Sequence, residues 1–222
     1  MTNVLLTGYG PYANTPVNPA ELVARALDGT MIGEAKIVSR IVPNVFFECI
    51  DVVSAAIREL EPSLVFMLGE FGGRSMITVE RLAQNLNDAT RYQLADNAGA
   101  APQGQMTAPE GPVAYYSTVP LRAMVKAMRA GGIPADISDA AGTFGCNHLM
   151  YGILHYIAQE QLPIRAGWIH LPQLPSVAAL EQNLGTPSMS AETSTVGVEL
   201  GIRAALENLE DIDEPSVSRL QI

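Results

Sequence analysis

The run Leu64–Leu68, "LVFML", limits the fold more than any other segment of the chain. Five consecutive apolar residues with no polar alternation suit a strand covered on both faces, and such strands belong to parallel sheets flanked by helices. The rest of the chain keeps the same rhythm. Val4–Thr7, Ala35–Val42, Ala135–Ser138 and Ala166–Leu171 read as further strands. Between them lie helical patterns. One starts at Asn18-Pro19, with Asn as N-cap and Pro in the first helical position, and carries an apolar face of Leu22, Val23, Ala26 and Leu27. Others cover Val45–Leu60, Leu121–Met128, Cys146–Gln161 and Thr193–Leu209. Alternation of this kind predicts an α/β fold. We expect one domain over residues 1–222, an open α/β/α sandwich with a mostly parallel twisted sheet and a short acidic tail from about residue 210.

The rhythm breaks between Gly69 and Thr118. Ile77–Leu86 is predicted as one strand, with Glu80, Leu82 and Leu86 on a common face, and Asp88–Gly111 as a long loop of the kind that is usually functional. The stretch Gly8–Pro16, rich in Gly, Pro and Asn, is a loop as well.

Composition narrows the function. A net charge of −10 with thirteen scattered Lys and Arg residues excludes a nucleic-acid surface. No window holds eighteen continuous apolar residues, so no membrane span is expected, and the apolar run at Val4 is too short for a signal peptide. Two cysteines about a hundred residues apart form neither a disulfide framework nor a zinc site. The expectation is a cytoplasmic protein with free thiols.

Chemistry concentrates at "GTFGCNHLMYG", which holds Cys146 and His148. A helix starting near Cys146 offers it unpaired N–H groups and the positive end of the dipole, both of which favour a thiolate. A buried, inert thiol is the competing reading. Cys49, amid Phe46, Ile50 and Val53, reads as structural. At about 100° per residue, His148 points roughly 200° away from Cys146, and His155 about 180°. Both lean off the apolar stripe, and neither reaches the sulfur as a base must. His170 ends a strand, where sites gather in parallel α/β sheets, and is the preferred partner. A third polar group is needed to orient the imidazole. Glu80, a carboxylate among apolar neighbours, has a modest claim to that place, and a solvated strand-edge glutamate is the alternative.

Five segments, "LLTGYGPYANTPVNP", "ITVERLAQNLNDA", "EGPVAYYSTVPLRAMV", "AGTFGCNHLMYG" and "GWIHLPQLP", together resemble pyroglutamyl peptidase type I, in order and spacing, from about Val4 to the final helix. The resemblance implies a cysteine peptidase that removes N-terminal pyroglutamate from peptides without metal or nucleotide. It also implies an open α/β sandwich and a homo-oligomer, a tetramer or dimer. It assigns catalysis to Glu80, Cys146 and His170, and a substrate pocket to Tyr9, Tyr12, Phe144 and Gly145.

Three departures from the family pattern stand out. Tyr9 and Tyr12 replace phenylalanines, and their hydroxyls need partners if buried. "GEFGGR" puts Glu70 where glutamine is common; a charge there facing the thiol would raise its pKa, whereas main-chain recognition would tolerate it. The segment Asn87–Asn97 is longer than usual, so Arg91 stands for the family's site arginine. These departures motivate one alternative, a cysteine hydrolase of altered amide specificity. A catalytically silent binding protein that keeps the scaffold is a second, and the intact Glu80, Cys146 and His170 set argues against it.

Overall fold

A computed structural model describes residues 2–12 and 15–220. Ala13 and Asn14, inside the predicted Gly8–Pro16 loop, lie outside the described residues. The strands are β1 (Thr2–Tyr9), β2 (Met31–Ile32), β3 (Ala35–Val42), β4 (Leu64–Glu70), β5 (Ile77–Glu80), β6 (Leu82–Gln84), β7 (Ala114–Tyr116), β8 (Ala135–Ser138) and β9 (Arg165–Leu171). The helices are α1 (Pro19–Leu27), α2 (Glu48–Leu60), α3 (Leu121–Ala130), α4 (Gly145–Gln159), α5 (Pro175–Ala178) and α6 (Ala191–Glu207).

Seven strands form one sheet in the order β2-β3-β1-β4-β9-β5-β8. The pairs β3–β1, β1–β4, β4–β9 and β5–β8 are parallel, while β2–β3 and β5–β9 are antiparallel. The predicted α/β/α sandwich with a mostly parallel sheet is therefore what the chain forms. Strand β4 explains its own sequence. Leu64, Phe66 and Leu68 join a core shared with α1, α3 and α6, while Val65 and Met67 join a second core shared with α2 and α4. Both faces are covered, so both parities are apolar.

Two expectations are corrected. The segment Ile77–Leu86 is not one strand. It leaves the main sheet after Glu80, and Leu82–Gln84 pairs with Ala114–Tyr116 in a separate two-stranded sheet. Glu80 thus shares no face with Leu82 and Leu86. Helix α2 starts at Glu48 rather than Val45 because Phe47 takes a positive φ of 65°, and Phe46 N–H is tied to the Asp96 carboxylate at 2.9 Å.

The acidic C-terminal stretch is fastened down. Asp211 accepts hydrogen bonds from Arg122 N and Ala123 N at the start of α3, satisfying N–H groups that the helix leaves unpaired. Buried Asp136 accepts from Arg219 N at 2.9 Å. Among the described residues, no helix is long and apolar enough to cross a membrane.

Candidate active site

Strand parity decides which side chains meet at the carboxyl end of the sheet. On β9, Ile169 and Leu171 face the α1 side, which leaves Trp168 and His170 on the α4 side. On β5, Ile77 and Val79 take the α1 side and Thr78 and Glu80 the other. The antiparallel register pairs Thr78 with His170 and Glu80 with Trp168. His170 Nδ1 lies 2.7 Å from Glu80 Oε1, with the two side chains 1% and 0% exposed. This contact fixes the imidazole's orientation and directs Nδ1–H at the carboxylate, leaving Nε2 as the lone-pair nitrogen.

Cys146 enters from above, in the first turn of α4, and is partly open to the cleft, whereas Cys49 is buried. Gly69, beside His170 in the β4–β9 register, makes room for it. A Cβ on Gly69 would stand 2.9 Å from Cys146 Sγ and 2.5 Å from the Trp168 ring, so only glycine lets the thiol settle over the strand. Gly145 is required for a similar reason, since a Cβ there would meet Asn44 Oδ1 at 2.3 Å.

The electrostatics keep the thiol and the imidazole each neutral at rest. Burial pushes the Cys146 thiol well above its ordinary value, and the Glu80 and Glu70 carboxylates add to the shift. Both effects oppose the helix start that was expected to favour thiolate. Burial also lowers His170 below the ordinary histidine value, against the opposing pull of Glu80. Glu80 itself would be raised by burial, but the His170 hydrogen bond and the nearby Arg74 reverse the sign and hold it ionised.

Arg74 was not anticipated. Its guanidinium donates to Glu80 Oε1 at 2.7 Å, to Thr78 Oγ1, and to Ser138 Oγ at 3.2 Å, while stacking 3.8 Å above the Phe71 ring. The signal was present in "GEFGGR" as a lone basic residue just past a buried strand, facing a carboxylate that needed a partner. Asn147, next to the cysteine, was also missed. Its side chain accepts from Gln84 N and donates to Gln84 O and Leu86 O, which pins the chain beyond Glu80 to α4.

A cleft of about 140 Å³ opens over these groups, lined by Tyr9, Tyr12, Asn18, Asn44, Glu70, Phe71, Gly72, Tyr92, Leu94, Ala141, Gly142, Phe144, Cys146 and His170. Its volume is that of about five waters, so it fits a small ring rather than a long side chain. Tyr9, Tyr12, Phe144 and Glu70 line it, whereas Gly145, assigned to the pocket by the resemblance, is not part of its lining. The Tyr9 hydroxyl finds its partner in the Gly145 carbonyl at 2.8 Å. Glu70 is pushed up to about 7 by burial, only partly offset by a hydrogen bond from Thr15. Arg91 does not line the cleft. It is exposed, with its guanidinium 5.1 Å from the Tyr92 ring, and Tyr92 and Leu94 occupy the wall instead.

The other histidines serve structure. His148 does not lean away from the apolar interior but is fully buried against Phe46 and Phe47, because the start of α2 covers that side of α4. Its Nε2 accepts from Phe47 N at 2.9 Å, and Nδ1 meets Thr107 Oγ1 at 2.9 Å. Burial lowers it to about 4. His155 pairs with the Tyr115 hydroxyl at 2.9 Å.

The profile of the pyroglutamyl peptidase family matches residues 2–208. The chain belongs to this family. A pyrrolidone-carboxylate peptidase of Mycobacterium tuberculosis is 65% identical over 222 residues, covering 100% of both chains. One from Cupriavidus necator is 44% identical, covering 96% of this chain and 97% of its own. The crystal structure of pyroglutamyl peptidase I from Bacillus amyloliquefaciens aligns with a TM-score of 0.91 at 38% identity, covering 96% of this chain and 99% of that one. As a member of the pyroglutamyl peptidase family, the chain is a peptidase that hydrolyses pyroglutamyl peptides.

Proposed function

We propose that the reaction runs through a thioester on Cys146, with His170 as the proton carrier and Glu80 as its anchor. The observation that carries this reading is the closed His170–Glu80 contact beside a thiol partly open to an apolar cleft. The lactam ring of an N-terminal pyroglutamyl residue sits among Tyr9, Tyr12 and Phe144, whose faces suit a flat ring. Neutral His170 takes the thiol proton on Nε2 as Sγ attacks the scissile carbonyl. The charge that develops on the carbonyl oxygen meets N–H groups in the first turn of α4, where a helix leaves its donors free. Collapse breaks the C–N bond, and His170 gives its proton to the leaving amine. Water then attacks the thioester with His170 again as base, releasing pyroglutamate and restoring the thiol.

The test is hydrolysis of pyroglutamyl-aminomethylcoumarin beside the prolyl and glutamyl analogues. Cleavage of the first alone, abolished by iodoacetamide and indifferent to chelators, supports the reading. Cleavage of the free-amine analogues at comparable rates contradicts it.

A homo-oligomeric, cytoplasmic state is part of the same proposal. Met106, Val113 and Tyr116 place exposed apolar surface near the two-stranded sheet, and free thiols suit a reducing compartment. Light scattering on the purified protein measures the first, and subcellular fractionation the second.

A further inference from the structure

The cleft has a closed end and an open one. Tyr9, Asn44, Ala141 and Phe144 are buried, whereas Tyr12, Phe71, Gly72, Tyr92 and Leu94 keep part of their surface in water. Cys146 belongs to the same lining and is itself partly open. A pyroglutamyl residue has nothing before its ring, so the ring suits the closed end and the rest of the peptide leaves through the mouth. The residue after the scissile bond therefore passes the partly exposed side chains.

Residues 88–97 form part of that mouth and are tied down at both ends. Asp88 N donates to the Thr143 carbonyl at 2.7 Å, and Thr143 Oγ1 returns a bond to the Asp88 carbonyl at 2.9 Å. At the far end Asn97 N donates to the Asn44 carbonyl at 2.9 Å, and its side chain to the Pro11 carbonyl at 3.1 Å. Between these ties, Tyr92 N and Leu94 N both donate to the carbonyl of buried Ala89, which holds the turn in shape. Tyr92 reaches over Gly142, where a Cβ would stand 3.0 Å from the phenol oxygen. The Arg91 guanidinium lies 5.1 Å from the ring; Arg91 stays outside the cleft, so it covers the outer side and leaves the inner one bare. Phe71, also at the mouth, is already engaged, with Arg74 on its face at 3.8 Å and the His170 ring at 5.2 Å. Among the described residues no second aromatic ring packs on Tyr92, and its hydroxyl makes no hydrogen bond.

Resting on the pyroglutamyl-peptidase reading, we propose that Tyr92 is a specificity-determining residue for the position after the scissile bond, its bare ring face packing against an aromatic side chain there. A flat apolar face fixed beside the exit gains most from a second ring, through burial and through the ring–ring contact itself. An alanine at the same position leaves that face in water. The lactam and the scissile amide are common to every pyroglutamyl peptide, so Tyr92 acts on the choice between peptides, which is read as a ratio of kcat/KM values.

The experiment compares pyroglutamyl-phenylalanine amide with pyroglutamyl-alanine amide on the full-length protein, following the released amine with a fluorogenic amine reagent. The ratio of the two kcat/KM values does not depend on how much of a preparation is folded. The parent should favour the phenylalanine substrate by about fivefold or more, and Tyr92→Ala should cut that ratio about fivefold. Tyr92→Phe keeps the ring and should keep the ratio. An unchanged ratio in Tyr92→Ala overturns the proposal, as does an equal drop in Tyr92→Phe. A parent without preference for phenylalanine overturns it even if the alanine variant does not fold. If the unmutated protein cleaves neither amide nor pyroglutamyl-aminomethylcoumarin, the functional reading itself falls. Cleavage of all three with a ratio indifferent to Tyr92 removes only the role of this residue.

Discussion

His170 Nδ1 and Glu80 Oε1 stand 2.7 Å apart on two antiparallel strands, with both side chains sealed from water. The contact fixes which imidazole nitrogen carries the proton before any substrate arrives. Glu80→Gln preserves the shape but offers an amide that can present its N–H and reverse the tautomer. We predict a loss of about 10³–10⁴ in kcat with little change in KM, read from steady-state kinetics. In the parent protein, the acid limb of kcat/KM should fall at a His170 pKa below the ordinary value, because the base must be neutral.

Arg74 and Glu80 form an ion pair with side chains 10% and 0% exposed, so the arginine holds the carboxylate charged. Arg74→Met leaves Glu80 with His170 and the Thr78 hydroxyl as partners and its charge without a cation. Urea unfolding should show a loss of about 3 kcal/mol, and kcat should fall with it. Arg74→Lys keeps the charge without the planar fork, so it should recover part of both.

Glu70 should weaken the fold as pH rises. Its folded-state pKa of about 7 lies above the unfolded carboxyl value, so between the two the unfolded chain releases a proton that the native state keeps. Stability therefore falls through that window and levels off above it. Glu70→Gln removes the penalty, and the gain should be about 3 kcal/mol at about pH 8 and near zero at about pH 4. Paired urea melts at the two pH values measure it.

His148 has both ring nitrogens engaged, and burial keeps it neutral. His148→Leu strands the Phe47 N–H, while the Thr107 hydroxyl keeps Asn87, and should cost about 1–3 kcal/mol in thermal or urea unfolding. Turnover per folded molecule should change far less than it does on loss of His170.

Much of the fold could be read from the sequence, because burial on two faces writes itself into runs such as "LVFML" and helix starts into pairs such as Asn18-Pro19. Strand β3 and strand β8 were placed to the residue for the same reason. Ile77–Leu86 misled because its apolar period continues while its backbone partner changes, and hydrogen-bond partners leave no mark on periodicity. In the site, helix geometry was enough to set His148 aside as a base. It could not show that α2 covers His148, which depends on how two distant helices pack. Arg74 escaped notice because its meaning lies in a contact with Glu80 across a turn. Arg91 was placed by alignment of a segment whose length differs, and its backbone turn carries Tyr92 to the cleft instead.

The most direct test of the account is to trap the acyl-enzyme. A pyroglutamyl ester is mixed with the protein, quenched in acid at short times, and the digested peptides are mapped by mass spectrometry. The account predicts a pyroglutamyl adduct on the peptide containing Cys146, appearing before product and accumulating when the hydrolysis step is slowed. An adduct on Cys49, or undiminished turnover in Cys146→Ser, would contradict it.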